Sequence, residues 1–341
     1  MPTILAIESS CDETSAAVCR DGFILSNIIA NQSIHQQWGG VVPELASRAH
    51  LQNIVPTVQA ALKAAGLENR NALKGVNAIA FTQAPGLIGS LLVGAQFAKS
   101  LALGLNVPLI AVHHMQAHVL ANLIPAPNKS LPSFPFLCLT VSGGHTQIVQ
   151  CESPGKLKVL GETIDDAAGE AFDKSGKLLG LPYPAGPLID QYAKLGKTGQ
   201  FKFAHPNIPA LNFSFSGLKT SILYFLQDQL KKDPDFIQKN LNNLCASVQQ
   251  TIIEILLKKL RIAALETGIR EVCLAGGVSA NSGLRTAFEE LGKQQHWKTF
   301  IPPFEYCTDN AAMIAITGYY KYLEKDFVDL SVSPSAKAEF S

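Results

Sequence analysis

Three histidines fall within six residues in His113-His114-Met115-Gln116-Ala117-His118, directly after the apolar run Leu109-Ile-Ala-Val. The spacing predicts a helix opening here. On it, His114 and His118 project from one face and can share a metal ion. A plainer reading, two polar residues near a helix start, is weakened by the third histidine and the buried strand in front. His113 points elsewhere and is expected either to be structural or to support the ligands from behind. A hydrolase helix of the H-E-x-x-H kind carries a glutamate that activates water. Met115 stands where that glutamate would be, so peptide hydrolysis by that route is not supported.

A third ligand has to come from elsewhere in the chain. Cys307-Thr308-Asp309-Asn310 lies directly before the apolar stretch Ala311-Ala-Met-Ile-Ala, where Asp309 either caps a helix or, if Thr308 caps it, is free to bind metal. Two imidazoles and a carboxylate leave coordination positions open to a substrate, as suits iron or zinc in a working site.

Two glycine turns form the next constellation. Val141-Ser142-Gly143-Gly144-His145-Thr146 places glycines between two apolar runs, where backbone N–H groups can approach an anion. Ala275-Gly276-Gly277-Val278-Ser279-Ala280-Asn281 is a stronger signal, a buried strand running through Gly-Gly into a helix, the arrangement that seats a phosphate or nucleotide. Neither G-x-G-x-x-G nor a lysine-bearing phosphate loop is present. Asn281 either hydrogen-bonds a base or ribose or is an exposed first-turn residue. Asp165, Asp166, Glu170 and Asp173, followed by Gly186 and Asp190, form either a solvated acidic face or a set of ribose ligands. Residues 171–232 hold eight lysines against three acids, interleaved with Phe201, Phe203, Phe213 and Phe215. They make either a phosphate-backbone patch or a solvated surface.

The elements that must position these residues repeat. Thr3-Ile-Leu-Ala-Ile, a polar turn through Glu8 to Thr14, Ala16-Ala-Val-Cys and, after the Asp21-Gly22 turn, Gly22 to Ile29 read as three strands. A helix from Pro43, a strand at Ala78-Ile-Ala-Phe-Thr, a helix from Gly86 to Leu105 and a strand at Leu109 follow. The opening recurs at Phe136-Leu-Cys-Leu-Thr-Val, with Thr146 to Gln150 as its second strand; Lys158-Val-Leu-Gly and helical stretches up to Glu266 follow, and Glu271 to Ala275 is a later strand. A final helix is expected over Asp309 to Tyr320. The pattern predicts a duplicated α/β fold with a cleft between the copies, joined through the proline-rich segment 125–135.

At 341 residues, 47% apolar and 16% charged, the chain is long enough for two cores and carries no disordered signature. A net charge of +1 leaves partners to local patches. Seven scattered cysteines without a C-x-x-C pair argue against a disulfide or cysteine-zinc framework and suit a reducing compartment. No run reaches about 18 uncharged apolar residues, and Glu8, Asp12 and Glu13 interrupt the N-terminal one, so neither a membrane span nor a secretion signal is expected.

The chain resembles the TsaD family, formerly described as O-sialoglycoprotein endopeptidases, in its bacterial form. The segments that carry the likeness are Ile7 to Thr14, Gly39 to Arg48, His113 to His118, Val141 to Gln147, Asp165 to Lys174, Phe213 to Thr220, Ala275 to Asn281 and Cys307 to Asn310, in order along the chain. The resemblance implies an α/β ASKHA fold (actin, sugar kinase and heat-shock protein). Its lobes would be residues 1–124 and 136–307, the second with helical insertions, and a terminal helix over 308–325 would sit at the cleft. It implies a cytoplasmic acyltransferase that moves threonylcarbamoyl from threonylcarbamoyl-AMP to N6 of adenosine 37 in tRNAs reading ANN codons. The matching positions imply a divalent metal, commonly iron with zinc as alternative, on His114, His118 and Asp309. They imply an adenylate held by Thr140, Val141, Ser142, Gly143, Gly144, Asp173, Gly186, Asp190 and Asn281. Asp12 would orient or deprotonate the adenine amine, or else cap its turn. TsaB, pairing through the N-terminal lobe, TsaE, and TsaC or an equivalent supplying the adenylate are the implied partners. Ala84, Ala185 and Gln116 depart from the family pattern, which more often has Gly, Gly and Glu there. An ATP-binding ASKHA regulator and a small-molecule carbamoyltransferase are the competing expectations.

Overall fold

The computed structural model describes residues 1–127 and 129–338. Its contacts divide into two compact units. The first comprises Met1–Pro132, Cys151–Lys158 and the described residues from Pro302 onward; the second comprises Ser133–Gln150 and Val159–Ile301.

In the first unit, strands β1 (Thr3–Glu8), β2 (Thr14–Arg20), β3 (Phe23–Ala30), β4 (Ala78–Ala84) and β5 (Leu109–His113) form one sheet in the order β3-β2-β1-β4-β5. The β2–β3 hairpin closes on Asp21 and Gly22, with φ of 53° and 82°, the paired left-handed conformation that an Asp-Gly turn supplies. β1 runs antiparallel to β2 and parallel to β4, so the chain must cross over between them. Helices α1 (Pro43–Ala64), α2 (Arg70–Leu73) and α3 (Ile88–Leu105) lie in that crossover and the next. α1 starts on Pro43, whose missing N–H costs nothing in a first turn. Ala95, Ala98 and Ala102 are the buried stripe of α3, joining a core with Leu5, Ile7, Val18 and Phe81. Among the described helices, α3 alone is long and apolar enough to cross a membrane, and that stripe is packed in this core. α4 (His114–Leu120) follows β5 without a loop.

A second sheet, most of it in the second unit, repeats the strand plan. β6 (Phe136–Val141), β7 (Thr146–Ser153), β8 (Lys156–Glu162), β9 (Glu271–Ala275) and β10 (Lys298–Phe300) are ordered β10-β9-β6-β7-β8. Numbered within its own sheet, that is the order of the first sheet, so the repeated hairpin opening marks a repeated fold. Helices α5 (Ala168–Leu178), α6 (Gly186–Ala193), α7 (Ser216–Leu230), α8 (Phe236–Thr267) and α9 (Ser282–Gln295) cover it. α8 is 32 residues long, and its buried residues Leu244, Ile252, Leu256 and Leu260 share one core with Phe213, Phe215 and Phe288.

Two expectations are corrected here. The last helix, α10, spans Ala311–Leu323 and is capped by Asn310, whose side chain accepts from Met313 N, rather than by Asp309 or Thr308. The phenylalanines interleaved with the lysines belong neither to a phosphate-backbone patch nor to a solvated surface: Phe203, Phe213 and Phe215 are buried, and Phe201 packs on Phe225 and Phe236. The lysine surplus is also partly compensated, Lys174 by Asp166 and Glu170, Lys194 by Asp190, and Lys231 by Asp228.

Candidate metal centre and nucleotide cavity

β5 delivers its last residue, His113, as the cap of α4, with His113 Nδ1 accepting from Met115 N at 3.2 Å. That places His114 and His118 one turn apart, both buried, with their rings edge to face at 4.7 Å. Their Nε2 atoms lie 3.1 Å apart. Asp309 Oδ1 is 3.1 Å from His118 Nε2 and 3.4 Å from His114 Nε2. Asp309 is free to point there because the first turn of α10 is satisfied by others. Asn310 caps it, and the N–H groups of Ala311 and Ala312 donate to Ser15 Oγ and Asn27 Oδ1.

Two imidazole nitrogens converge on one carboxylate oxygen, all within 4.8 Å of one another. If both nitrogens are unprotonated, their lone pairs oppose each other unless a cation lies between them. The donor set, two nitrogens and one oxygen, suits a borderline divalent ion with coordination positions to spare. His118 Nδ1 is buried and has no hydrogen-bond partner among the described residues. Burial pulls the His114 pKa down, but the carboxylates of Asp309 and Glu8 outweigh it and hold the ring well above its ordinary value. Burial lowers that of His118. Burial raises that of Asp309, and the two histidines overcome this to hold it well below the usual carboxylate range.

Sequence reasoning missed Glu8. It ends β1, is 1% exposed, and lies 3.2 Å from His114 Nδ1 through Oε2. Ser10 N donates to its Oε1 at 2.6 Å and Thr82 Oγ1 to its Oε2 at 2.5 Å. An acid closing an otherwise apolar strand was the available signal. The turn beyond Glu8 is braced from two helices. His50 of α1 bonds Thr14 Oγ1 at 2.7 Å and the Cys11 carbonyl at 3.0 Å, and Ser90 of α3 donates to the same carbonyl. Asp12, half-buried, sits in this turn and shares a hydrogen bond with Glu13. Burial, then the charges of Asp309 and Asp12, push the Glu13 carboxyl up to about 9.

The second unit carries a cavity of about 280 Å³ whose walls include Gly143, Gly186, Gly277, Asp173, Asp190 and Asn281. Of the run Thr140 to Gly144, it is Gly143 that lies on the wall. Thr140 and Val141 are fully buried in β6, and Ser142 N bonds back to the His145 carbonyl. Gly276, just before the wall, has φ +84°, and a Cβ there would lie 2.4 Å from the Val141 carbonyl oxygen, so no other residue fits without a shift.

The wall carboxylates serve the protein's own amides. Asp173 accepts from Ala185 N and Gly186 N at 2.8 and 3.3 Å, and its burial raises its pKa. Asp190 accepts from Ser282 Oγ at 2.8 Å and from the N–H groups of Ser282 and Gly283. Asn281 is a buried cap and not an exposed residue, its Oδ1 taking Leu284 N and its Nδ2 donating to Gln249 Oε1 at 2.7 Å. Asp165, read as part of an acidic face, instead clamps Ser214, Phe215 and Ser216.

The sequence model of the TsaD family, described as tRNA N6-adenosine threonylcarbamoyltransferase, matches residues 23–316. Proteins of that name are similar over their whole length. The one from Christiangramia forsetii is 60% identical across 99% of this chain and 98% of its own. That from Porphyromonas gingivalis is 56% identical across 98% and 97%. Among solved structures, full-length HypF in its phosphate- and nucleotide-bound form superposes with a TM-score of 0.61 at 12% identity, covering 94% of this chain and 46% of that one. The chain thus spans about half the length of HypF. Component A of the (R)-2-hydroxyglutaryl-CoA dehydratase of Acidaminococcus fermentans gives a TM-score of 0.52 at 15% identity, covering 95% and 98%. At such identities the likeness is one of fold, and the fold is ASKHA.

Proposed function

This chain belongs to the tRNA N6-adenosine threonylcarbamoyltransferases, and we propose that it transfers threonylcarbamoyl from threonylcarbamoyl-AMP to N6 of adenosine 37 in ANN-reading tRNAs. The observation that carries the reading is whole-length identity to proteins of that name, together with a converging His114, His118 and Asp309. In the reaction the N6 amine attacks the carbamoyl carbon, the carbon–oxygen bond to phosphate breaks, AMP departs, and the amine loses a proton.

His114, His118 and Asp309 would hold a divalent ion, iron in preference to zinc, which supplies Lewis-acid polarisation of the carbonyl when bound. Asp12 orients the amine and accepts its proton. Glu13, carrying a proton at neutral pH, keeps a second negative charge away from that step. The adenylate occupies the cavity of the second unit, where Gly143, Gly186 and Gly277 leave backbone open to the nucleotide. Asp173, Asp190 and Asn281 hold those walls in place and need not touch the ligand through side chains already engaged. An exocyclic adenine amine is a weak nucleophile, so positioning carries much of the rate.

TsaB is the partner proposed for the first unit, where Leu51 and Val55 of α1 and Ile88 and Leu92 of α3 are exposed on helices that pack together. TsaE, and TsaC or an equivalent that makes the adenylate, complete the set, in the cytoplasm where tRNA is found.

The test is a reconstituted transfer with radiolabelled threonine, bicarbonate, ATP, the adenylate-forming enzyme, the partners and tRNA, using wild type and His114→Ala. Label entering tRNA with wild type alone supports the reading. Label in a low-molecular-weight acceptor, or ATP turnover with unlabelled tRNA, replaces it with a small-molecule carbamoyltransferase or an ATP-binding regulator.

A further inference from the structure

We infer that Glu8 is a positioning residue for His114, fixing the hydrogen on Nδ1 so that Nε2 is the nitrogen presented to the metal. The inference rests on the reading of His114, His118 and Asp309 as metal ligands.

An ionised carboxylate has no hydrogen to give, so an imidazole nitrogen facing it must be the donor. Glu8 Oε2 lies 3.2 Å from His114 Nδ1. Its two oxygens are themselves held, Oε1 by Ser10 N at 2.6 Å and Oε2 by Thr82 Oγ1 at 2.5 Å. Thr82 belongs to β4 and Glu8 to β1, neighbouring parallel strands, so the carboxylate is anchored to the sheet and not to a mobile turn. Ser10 Oγ also approaches Nδ1, at 3.3 Å, but a hydroxyl can donate or accept and therefore fixes neither tautomer. Glu8 decides it. With hydrogen on Nδ1, Nε2 carries its lone pair toward His118 Nε2 and Asp309 Oδ1.

His118 shows what lacks such support. Its Nδ1 is buried without a partner among the described residues, so its tautomer is set only from the Nε2 side. The pair is therefore unequal, with one imidazole oriented before the ion arrives and the other dependent on it.

Without Glu8, Ser10 would be left to donate or accept at Nδ1, so the hydrogen would be shared between Nδ1 and Nε2, and on Nε2 it blocks coordination. A carboxylate that merely closed the turn at Ser10 would affect stability but not this choice.

The experiment strips wild type, Glu8→Ala, Glu8→Gln and Thr82→Val of metal and titrates each with Co²⁺ and Zn²⁺ against a competing chelator. Nitrogen-15 histidine spectra of the metal-free proteins, taken at alkaline pH where the His114 ring carries a single hydrogen, report the tautomers. Glu8→Ala is expected to bind either ion about 10–100-fold more weakly. Glu8→Gln, which keeps an acceptor oxygen without the charge, should fall in between. Thr82→Val, which leaves Glu8 in place but less firmly held, should lose about threefold. The wild-type His114 signal is expected as Nδ1–H, shifting toward Nε2–H in Glu8→Ala. An Nε2–H tautomer in wild type, or metal affinity within about twofold of wild type in Glu8→Ala, overturns the inference. If Glu8→Ala does not fold, wild-type affinity in a folded Glu8→Gln overturns it equally. Should wild type take up no ion at all, the ligand reading fails, and the tautomer spectra still decide the role of Glu8.

Discussion

The two units prepare their sites in opposite ways. In the first, the working atoms belong to side chains that burial alone would drive toward neutrality, and they are kept charged by one another: Asp309 by two histidines, His114 by two carboxylates. In the second, glycines and apolar side chains such as Phe172, Pro184 and Val278 line the cavity, and its carboxylates bind the amides of Ala185, Gly186, Ser282 and Gly283. The first recognises by charge and donor type, as a small ion requires. The second recognises by shape, as suits a ligand much larger than an ion. A change of chemistry should therefore damage the first unit, and a change of volume the second.

The largest effect is expected from Asp309→Ala. Removing one member of the converging set should weaken metal binding by at least about 100-fold, beyond what loss of an outer partner costs. Competitive titration measures it, and adenosine-nucleotide binding by the same variant should stay within about twofold if the two sites are as separately built as they look. Gly276→Val comes next. With φ at +84° and its Cβ forced onto the Val141 carbonyl, it should cost about 2–4 kcal/mol, read as a lowered melting temperature, while metal affinity in the folded fraction is kept.

The third effect is on pH. The His114 pKa is raised, so the ring keeps a proton above the ordinary imidazole range and the incoming ion must displace it. Metal affinity should climb about tenfold per pH unit until the folded pKa is passed. In the metal-free protein, the stability from that protonated ring is fully present below the unfolded pKa and is lost as pH rises through the folded one. A flat affinity profile would mean the ring is neutral before metal arrives. The smallest effect is from Gly143→Ala, where a Cβ meets nothing within 4 Å of the protein. Stability should be unchanged within about 0.5 kcal/mol, and nucleotide affinity should fall about three- to tenfold as the methyl enters the cavity. No loss of affinity would remove Gly143 from the nucleotide wall.

The strand plan and its repetition were legible because buried strands are written as apolar runs and the Asp21-Gly22 turn has its own signature. His114 and His118 were legible because they are local, one turn apart. Glu8 was not, since its partners Thr82 and His114 stand 74 and 106 residues away and only the folded sheet brings them together. Asn281 and Asp190 were visible as residues but not in role. A polar side chain beside a glycine turn reads equally as a ligand or as the clamp that holds the turn, and here the hydrogen bonds of both run inward. The lysines and phenylalanines misled because composition shows which residues share a segment and not which of them face water.

Gly176 and Ala185 leave a trace of a different kind. A Cβ built on Gly176 would stand 2.2 Å from the methyl of Ala185, so the two positions have room for a single methyl between them. The methyl stands on Ala185, so without a backbone shift alanine at 176 fits only together with glycine at 185, and each of the two residues sets what the other is allowed to be.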